Sequence, residues 1–291
     1  MFSGLHSNKL EVTVRNDVVW LLTELTCAAV AVWCGTVTAQ PAAPTVDPSA
    51  PMYRQTGEQY RVYDFPGTGE SIPYRLFVPS SWSPNKRLPI LITLRAGTSV
   101  NNNHRENNDL VREADKRGYI VISPLGYRSL RQPYYGSPYS VLRTSGPTTP
   151  GDGWTAEENL RAEQDVLNVL DLVTAEYNAD TDRVFIHGQN PSGSGALHLI
   201  AKFPERFKAA VISSAPIDPS SYPFEKIRNR VALLIVHGDA DFNNPIDASR
   251  AFASAADSAG VDARFAVIPG GKHLTAYLDF AEEIFDFLDA Y

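Results

Sequence analysis

The chain of 291 residues has only two cysteines, and both, Cys27 and Cys34, lie within its first 39 residues. The rest has no thiol. That excludes a thiolate nucleophile, a cysteine-ligated metal and a disulfide framework from the main part of the chain. Histidine is sparse as well: six residues, scattered, with His6 near the start. No spacing of His, Asp and Glu reads as a ligand set, so no metal site is expected. A phosphate-cradling glycine loop and a dinucleotide fingerprint are both missing, so the site is expected to need no cofactor. Basic charge is in deficit, 26 Lys and Arg against 33 Asp and Glu, for a net charge of −7. Without a basic stripe there is no electrostatic footprint for nucleic acid. No internal repeat is visible, which argues against a solenoid.

What is present is ordinary for a globular protein: 43% hydrophobic and 20% charged residues, enough for one large core. The first 39 residues stand apart. Lys9 and Arg15 precede a mostly apolar run from Val18 to Ala39, and Val37-Thr38-Ala39 offers small residues for signal peptidase. Residues 1–39 therefore read as a signal peptide, which predicts a secreted or periplasmic protein; a membrane anchor is the alternative. Asp17 and Glu24 break the run too often for a stable span. Residues 40–55 hold four prolines without apolar periodicity and read as a linker. Residues 56–291 read as a single domain.

In that domain strand and helix patterns alternate. "YRVYDF" and "YRLFVP" suggest an antiparallel pair, and "LPILITL", "YIVISP", "RVFIH", "AAVISS", "VALLIVH" and "ARFAVI" suggest further strands. Helices are expected at 104–118, 155–177, 195–203, 246–259 and 276–289. The second of these has a possible capping box, Thr155 with Glu158. The expected fold class is α/β: a mainly parallel sheet of about eight strands with helices on both faces. A long Tyr-, Pro- and Gly-rich segment from Gly126 to Trp154 reads either as a substrate-facing wall or lid, with Tyr127 at its start, or as a surface insertion whose tyrosines pack locally.

The last third carries the clearest chemistry. "LIVHGDADFNNPID" places Asp241 just after a strand, and "AVIPGGKHLTAY" places His273 in a Gly-rich loop after the next. An acid and a base at the carboxyl ends of successive strands can converge, the carboxylate fixing the imidazole tautomer. His187 and His237, which end strands before Gly188 and Gly238, read as packing residues, and Asp239 as a turn former.

From about Gln59 onward the chain resembles secreted α/β-hydrolases of the feruloyl-esterase and polyhydroxybutyrate-depolymerase-like group, itself similar to prolyl oligopeptidase catalytic domains. The matching pieces are "RLPILITL", "ADKRGYIVISPLGYR", "EQDVLNVLDLV", "HGDADFNNPID" and "PGGKH". The resemblance implies Asp241 as triad acid, His273 as general base, and a small-molecule or polymeric ester as substrate or ligand.

One piece departs from that pattern. The family elbow reads Gly-x-Ser-x-Gly-Gly; here Gly188-Gln189-Asn190-Pro191-Ser192-Gly193 puts Asn190 on the nucleophile position. Pro191 follows it and has no N–H for the oxyanion hole. After "LPILITL" the family has His-Gly and small residues, whereas this chain has Arg95-Ala96-Gly97. Arg95 reads as a possible anion contact or as a solvent-facing side chain. Two functions follow. The first is an esterase-like hydrolase with an unorthodox nucleophile: Ser192, with Gly193 supplying the N–H, or Ser194, or a water activated by His273. The second is a pseudohydrolase that binds a ligand or polymer without turnover. The plain alternative for Ser192 is a helix N-cap.

Overall fold

The computed structural model describes residues 53–94, 108–124, 127, 156–273 and 280–291. The leader, most of the linker, Arg95-Ala96-Gly97, Thr155 and nearly all of the Gly126–Trp154 segment lie outside the described residues.

Eight strands form one sheet: β1 (Gly57–Asp64), β2 (Ser71–Val78), β3 (Ile90–Leu94), β4 (Ile120–Pro124), β5 (Val184–Gln189), β6 (Ala209–Ser213), β7 (Ala232–Gly238) and β8 (Ala263–Ile268). Their order is β1-β2-β4-β3-β5-β6-β7-β8. β2 pairs antiparallel with both β1 and β4, and the remaining pairs are parallel. The antiparallel start and the parallel body match the expectation from sequence.

The helices are α1 (Asn108–Arg117), α2 (Ala156–Tyr177), α3 (Pro191–Lys202), the short α4 (Phe224–Ile227), α5 (Ile246–Ser258) and α6 (Ala281–Asp289). The continuous apolar strands need cover on both faces, and the two-residue period divides them between two cores. Ile90 and Ile92 of β3, Ile186 of β5 and Ile235 of β7 join α2, α3 and α5 on one side. Leu91, Phe185 and Leu234 join α1 and α6 on the other. At about 25 cal/mol per Å2, burying each of these side chains contributes roughly 1.5–3 kcal/mol.

β1 sits at the sheet edge and is fastened to α2 by polar contacts inside the fold. Arg61 Nη1 meets Glu176 Oε2 at 2.5 Å, both side chains almost fully buried. Tyr63 donates to the buried Asp165 at 2.6 Å. Every parallel strand runs in the same direction, so the β5, β6, β7 and β8 ends fall along one rim, where ligands bind in open α/β sheets. Among the described residues, no helix is long and apolar enough to cross a membrane.

Candidate active site

The rim is organised by the turn from β5 into α3. Asn190 forms its tip, with φ 53° and ψ −129°. This backbone is rare for a residue with a side chain, although asparagine tolerates positive φ better than most. Asn190 N–H donates to Ser213 O at 2.8 Å, tying the tip to the end of β6. The turn is sharp because strand and helix nearly touch. A Cβ on Gly188 would lie 2.3 Å from Ser192 O, and one on Gly193 would lie 2.5 Å from Ala215 Cβ. Both glycines are there because nothing larger fits. Pro191 opens the helix, where a missing N–H costs no intrahelical bond.

Ser192 lies in the first turn of α3, two residues past the tip, and is fully buried. It is not the N-cap either, since that position belongs to Asn190. Gly193 N–H donates to Asn190 O at 3.0 Å within the turn, so it is not held open for an oxyanion. Ser194 Oγ donates to Pro216 O at 3.1 Å.

The loops after β7 and β8 are stitched together, which brings the acid and the base into contact. Gly270 N–H donates to Asp239 Oδ1 at 2.6 Å, and Ala240 N–H donates to Gly271 O at 3.1 Å. Gly238 lets them close: a Cβ there would sit 2.1 Å from Gly271 O. Across this seam His273 Nδ1 lies 2.9 Å from Asp241 Oδ2. A carboxylate only accepts, so Nδ1 carries the proton and Nε2 is left as the acceptor.

Asp241 is held from every side. Its Oδ1 accepts from Asn243 N–H at 2.8 Å and Asn244 N–H at 3.0 Å. Its Oδ2 also lies 3.1 Å from His237 Nε2, and neither side chain is exposed. Burial pushes the Asp241 carboxyl up, but the bonds from Asn244, His273 and Asn243 outweigh it and hold the pKa below its ordinary value. His237, expected to be a packing residue, is one of these supports. Its Nε2 faces Asn244 O at 3.0 Å, a carbonyl that only accepts, so Nε2 carries a proton, and its Nδ1 lies 2.7 Å from Ser249 Oγ.

Asn244 escapes a reading of the sequence. Its Nδ2 donates to Ser214 O at 2.7 Å and to Asn190 Oδ1 at 3.3 Å, linking the acid loop to the elbow. The only advance signal is its place three residues after Asp241, where an Asx-type turn would bring it back over the loop. Ser214 has φ 46°, so a second strained residue stands beside the tip. Phe242, next to Asp241, is 92% exposed on the same loop.

Tyr127, read from sequence either as part of a substrate-facing wall or as a locally packed tyrosine, is 4% exposed, its hydroxyl bonded to Glu70 and Arg161 and its ring edge-on to Phe65, in line with the second reading. His187 is buried in β5 with Nε2 3.0 Å from Ser213 Oγ. No group of three or more His, Cys, Asp or Glu among the described residues is placed to hold a metal.

The fold is found in known proteins. A solved thermostable esterase superposes with a TM-score of 0.61 at 22% identity, covering 80% of this chain and 62% of that one. The S-formylglutathione hydrolase of Agrobacterium tumefaciens gives 0.58 at 18%, covering 79% and 94%. These likenesses establish the α/β-hydrolase fold. Acetylxylan esterase A of Aspergillus oryzae is 23% identical over 194 residues, 67% of this chain; the match spans 53% of that protein's length. The family model described as "Putative esterase" matches residues 66–280, well over half of the sequence, and the chain belongs to that Esterase family.

Proposed function

We propose that this protein receives a short acyl ester of a carbohydrate at the rim beside Asn190, and that the Asp241–His273 pair acts there as a general base on water. The observation that carries this reading is the His273 Nδ1–Asp241 Oδ2 contact of 2.9 Å beside an elbow tip that holds asparagine. The pair has the geometry of a working base, yet the residue it would activate has no hydroxyl. Water takes its place. His273 Nε2 removes a proton from water as the oxygen adds to the acyl carbon, and the carbonyl electrons move onto oxygen. The tetrahedral species then collapses, the C–O bond to the alcohol breaks, and the imidazolium returns the proton to the departing alkoxide. Acid and alcohol leave without an acyl-enzyme. The acetylxylan esterases among the relatives support an acetylated polysaccharide as the substrate class. The leader at 1–39 supports an extracytoplasmic site of action.

The rate should be modest. Serine hydrolases deprived of one triad member keep about 10³–10⁴-fold catalysis over water, and this protein should fall at or below that level. The test uses the chain from Gln40 onward, with p-nitrophenyl acetate and acetylated xylan, beside His273→Ala and with fluorophosphonate labelling. Hydrolysis that depends on His273, with no serine adduct, is expected. A rate unchanged by His273→Ala, or an adduct on any serine, refutes the water route.

A second reading is ligand binding without turnover, and Pro191 favours it. Losing one oxyanion donor costs roughly 10²–10³ in kcat. Binding of acetylated xylo-oligosaccharides with no His273-dependent hydrolysis is the result this reading expects.

A further inference from the structure

Pro191 takes a donor away from the site, and the residue before it holds one. We infer that the Asn190 side-chain amide is an anion- and carbonyl-binding donor of this site, aimed by Asn244 as a positioning residue. The inference rests on the reading above that the rim receives an acyl group, and it names the atom that would hold the acyl oxygen.

The orientation follows from an anchor that cannot be reversed. Ser214 O is a backbone carbonyl and only accepts, so the Asn244 atom 2.7 Å from it is the NH2 group. That same nitrogen lies 3.3 Å from the side chain of Asn190, and its second hydrogen requires an acceptor there. The Asn190 atom facing Asn244 is therefore its oxygen. Its Nδ2 is turned the other way, and meets no acceptor among the described residues. Asn244 is held in turn: its N–H caps Asp241, and its carbonyl accepts from the buried His237. Orientation thus passes from two fixed backbone groups through Asn244 to the tip of the elbow.

Asparagine side chains serve as oxyanion donors elsewhere, and a donor fixed before the ligand arrives needs no reorganisation. Here the half-buried Asn190 presents two N–H bonds at the tip, where the family places a hydroxyl. The occupant that fits is an oxygen acceptor carrying full or partial negative charge: an ester carbonyl, its tetrahedral adduct or a carboxylate product. In the reading above, His273 Nε2 accepts a proton from the attacking water. The two groups are complementary, one holding the acyl oxygen and the other the nucleophile.

The test uses phenylphosphonate as a non-covalent oxyanion probe, with affinity measured by calorimetry on the chain from Gln40 onward. Asn190→Gly keeps the positive-φ backbone and removes the donor, and at least a tenfold loss of affinity is expected. Asn190→Asp, which puts an acceptor in the donor's place, should lose at least as much. Asn244→Ala should lose severalfold in the native background and nothing further in the Asn190→Gly background, because it acts only through Asn190. A purely structural Asn244 would cost the same in both. If Asn244→Ala does not fold, as judged by thermal melting, the uncharged Asn244→Ser replaces it; its short side chain does not reach Asn190 Oδ1 and should weaken the probe in the same way. Affinity within twofold of native in Asn190→Gly, or equal losses for the Asn244 variant in both backgrounds, overturns the inference. Failure of His273-dependent hydrolysis would refute the water route and leave phosphonate binding to Asn190 standing, so the two ideas fail separately.

Discussion

Asn190 and Pro191 are two neighbouring residues with separate chemical consequences. The first stands where the resemblance places a nucleophilic serine and the second where it places a backbone donor, while both suit the local backbone. Asparagine accepts φ 53°, and proline accepts the first turn of α3. This explains why the departure was legible in the sequence: Gly188 and Gly193 hold the register, and each is required by contact with Ser192 O or Ala215 Cβ. What the sequence could not offer was the fate of Ser192. Its type suits both a nucleophile and a cap; the structure gives the cap position to Asn190 and buries Ser192 in the first turn of α3. The variants needed to revive covalent chemistry follow directly. Asn190→Ser alone should restore little turnover, because the N–H at 191 is still missing. Adding Pro191→Ala returns that donor and should raise the rate by roughly a further 10²–10³. Initial rates with p-nitrophenyl acetate, together with a fluorophosphonate adduct at position 190, check this. Equal rates for the single and double variants would mean that the 191 N–H does not face the acyl oxygen.

At the scale of elements, strands were easier to foresee than helix starts. "LPILITL" and "VALLIVH" are unbroken apolar runs, and a run of that length between turn residues has few other uses in a parallel sheet. α3 was expected to begin at Gly195 and begins at Pro191. The residues Ser192, Gly193 and Ser194 have poor helix propensity, so packing against β5 and β6 overrides the local preference. Gly193→Ala would improve propensity, yet it should destabilise by about 1–3 kcal/mol, since its methyl would meet Ala215 Cβ at 2.5 Å and Ile212 Cγ2 at 3.1 Å. Urea unfolding checks the sign, and a stabilised variant would show that the elbow can relax. The β1–α2 fastening was invisible for a different reason: Arg61 and Glu176 are 115 positions apart, and each alone reads as a surface charge. Burial pushes the Arg61 pKa down, but Glu176, Tyr177 and Tyr74 together raise it above its ordinary value, and Glu176 Oε1 also accepts from Arg54 N–H. Removing one partner of such a pair leaves an uncompensated buried charge. Glu176→Ala should therefore cost about 3–5 kcal/mol in the same urea experiment, whereas a loss under about 1 kcal/mol would mean that water reaches Arg61.

For the molecule as a whole, the same rim that assembles the site should make stability sensitive to acid. His187 is fully buried beneath the elbow, and desolvation pushes its pKa down to about 4. An unfolded histidine titrates near 6.5, so the unfolded chain takes up the proton first as pH falls. Stability linked to His187 is full above about pH 6.5 and declines toward pH 4, a loss of about 3 kcal/mol. Asp241 adds a second decline at lower pH. Its folded pKa lies below the ordinary value, so its contribution is present above about pH 4 and is lost as pH falls through the folded pKa. Net charge works against the first decline: at −7 the protein repels itself, and acidification toward pH 5 relieves that repulsion. The native curve alone therefore cannot isolate the histidine, but comparison with His187→Gln can, since glutamine keeps a hydrogen-bond partner for Ser213 without titrating in this range. Urea unfolding free energies at pH 7.5, 5.5 and 4.5 should fall more steeply for the native chain than for the variant, and the gap should close by about 2.5 kcal/mol between the ends of the series. Parallel curves would show that His187 is protonated at little cost in the folded state. The Ser213 contact below the elbow would then carry a charge, and the rim would be wetter than its burial implies.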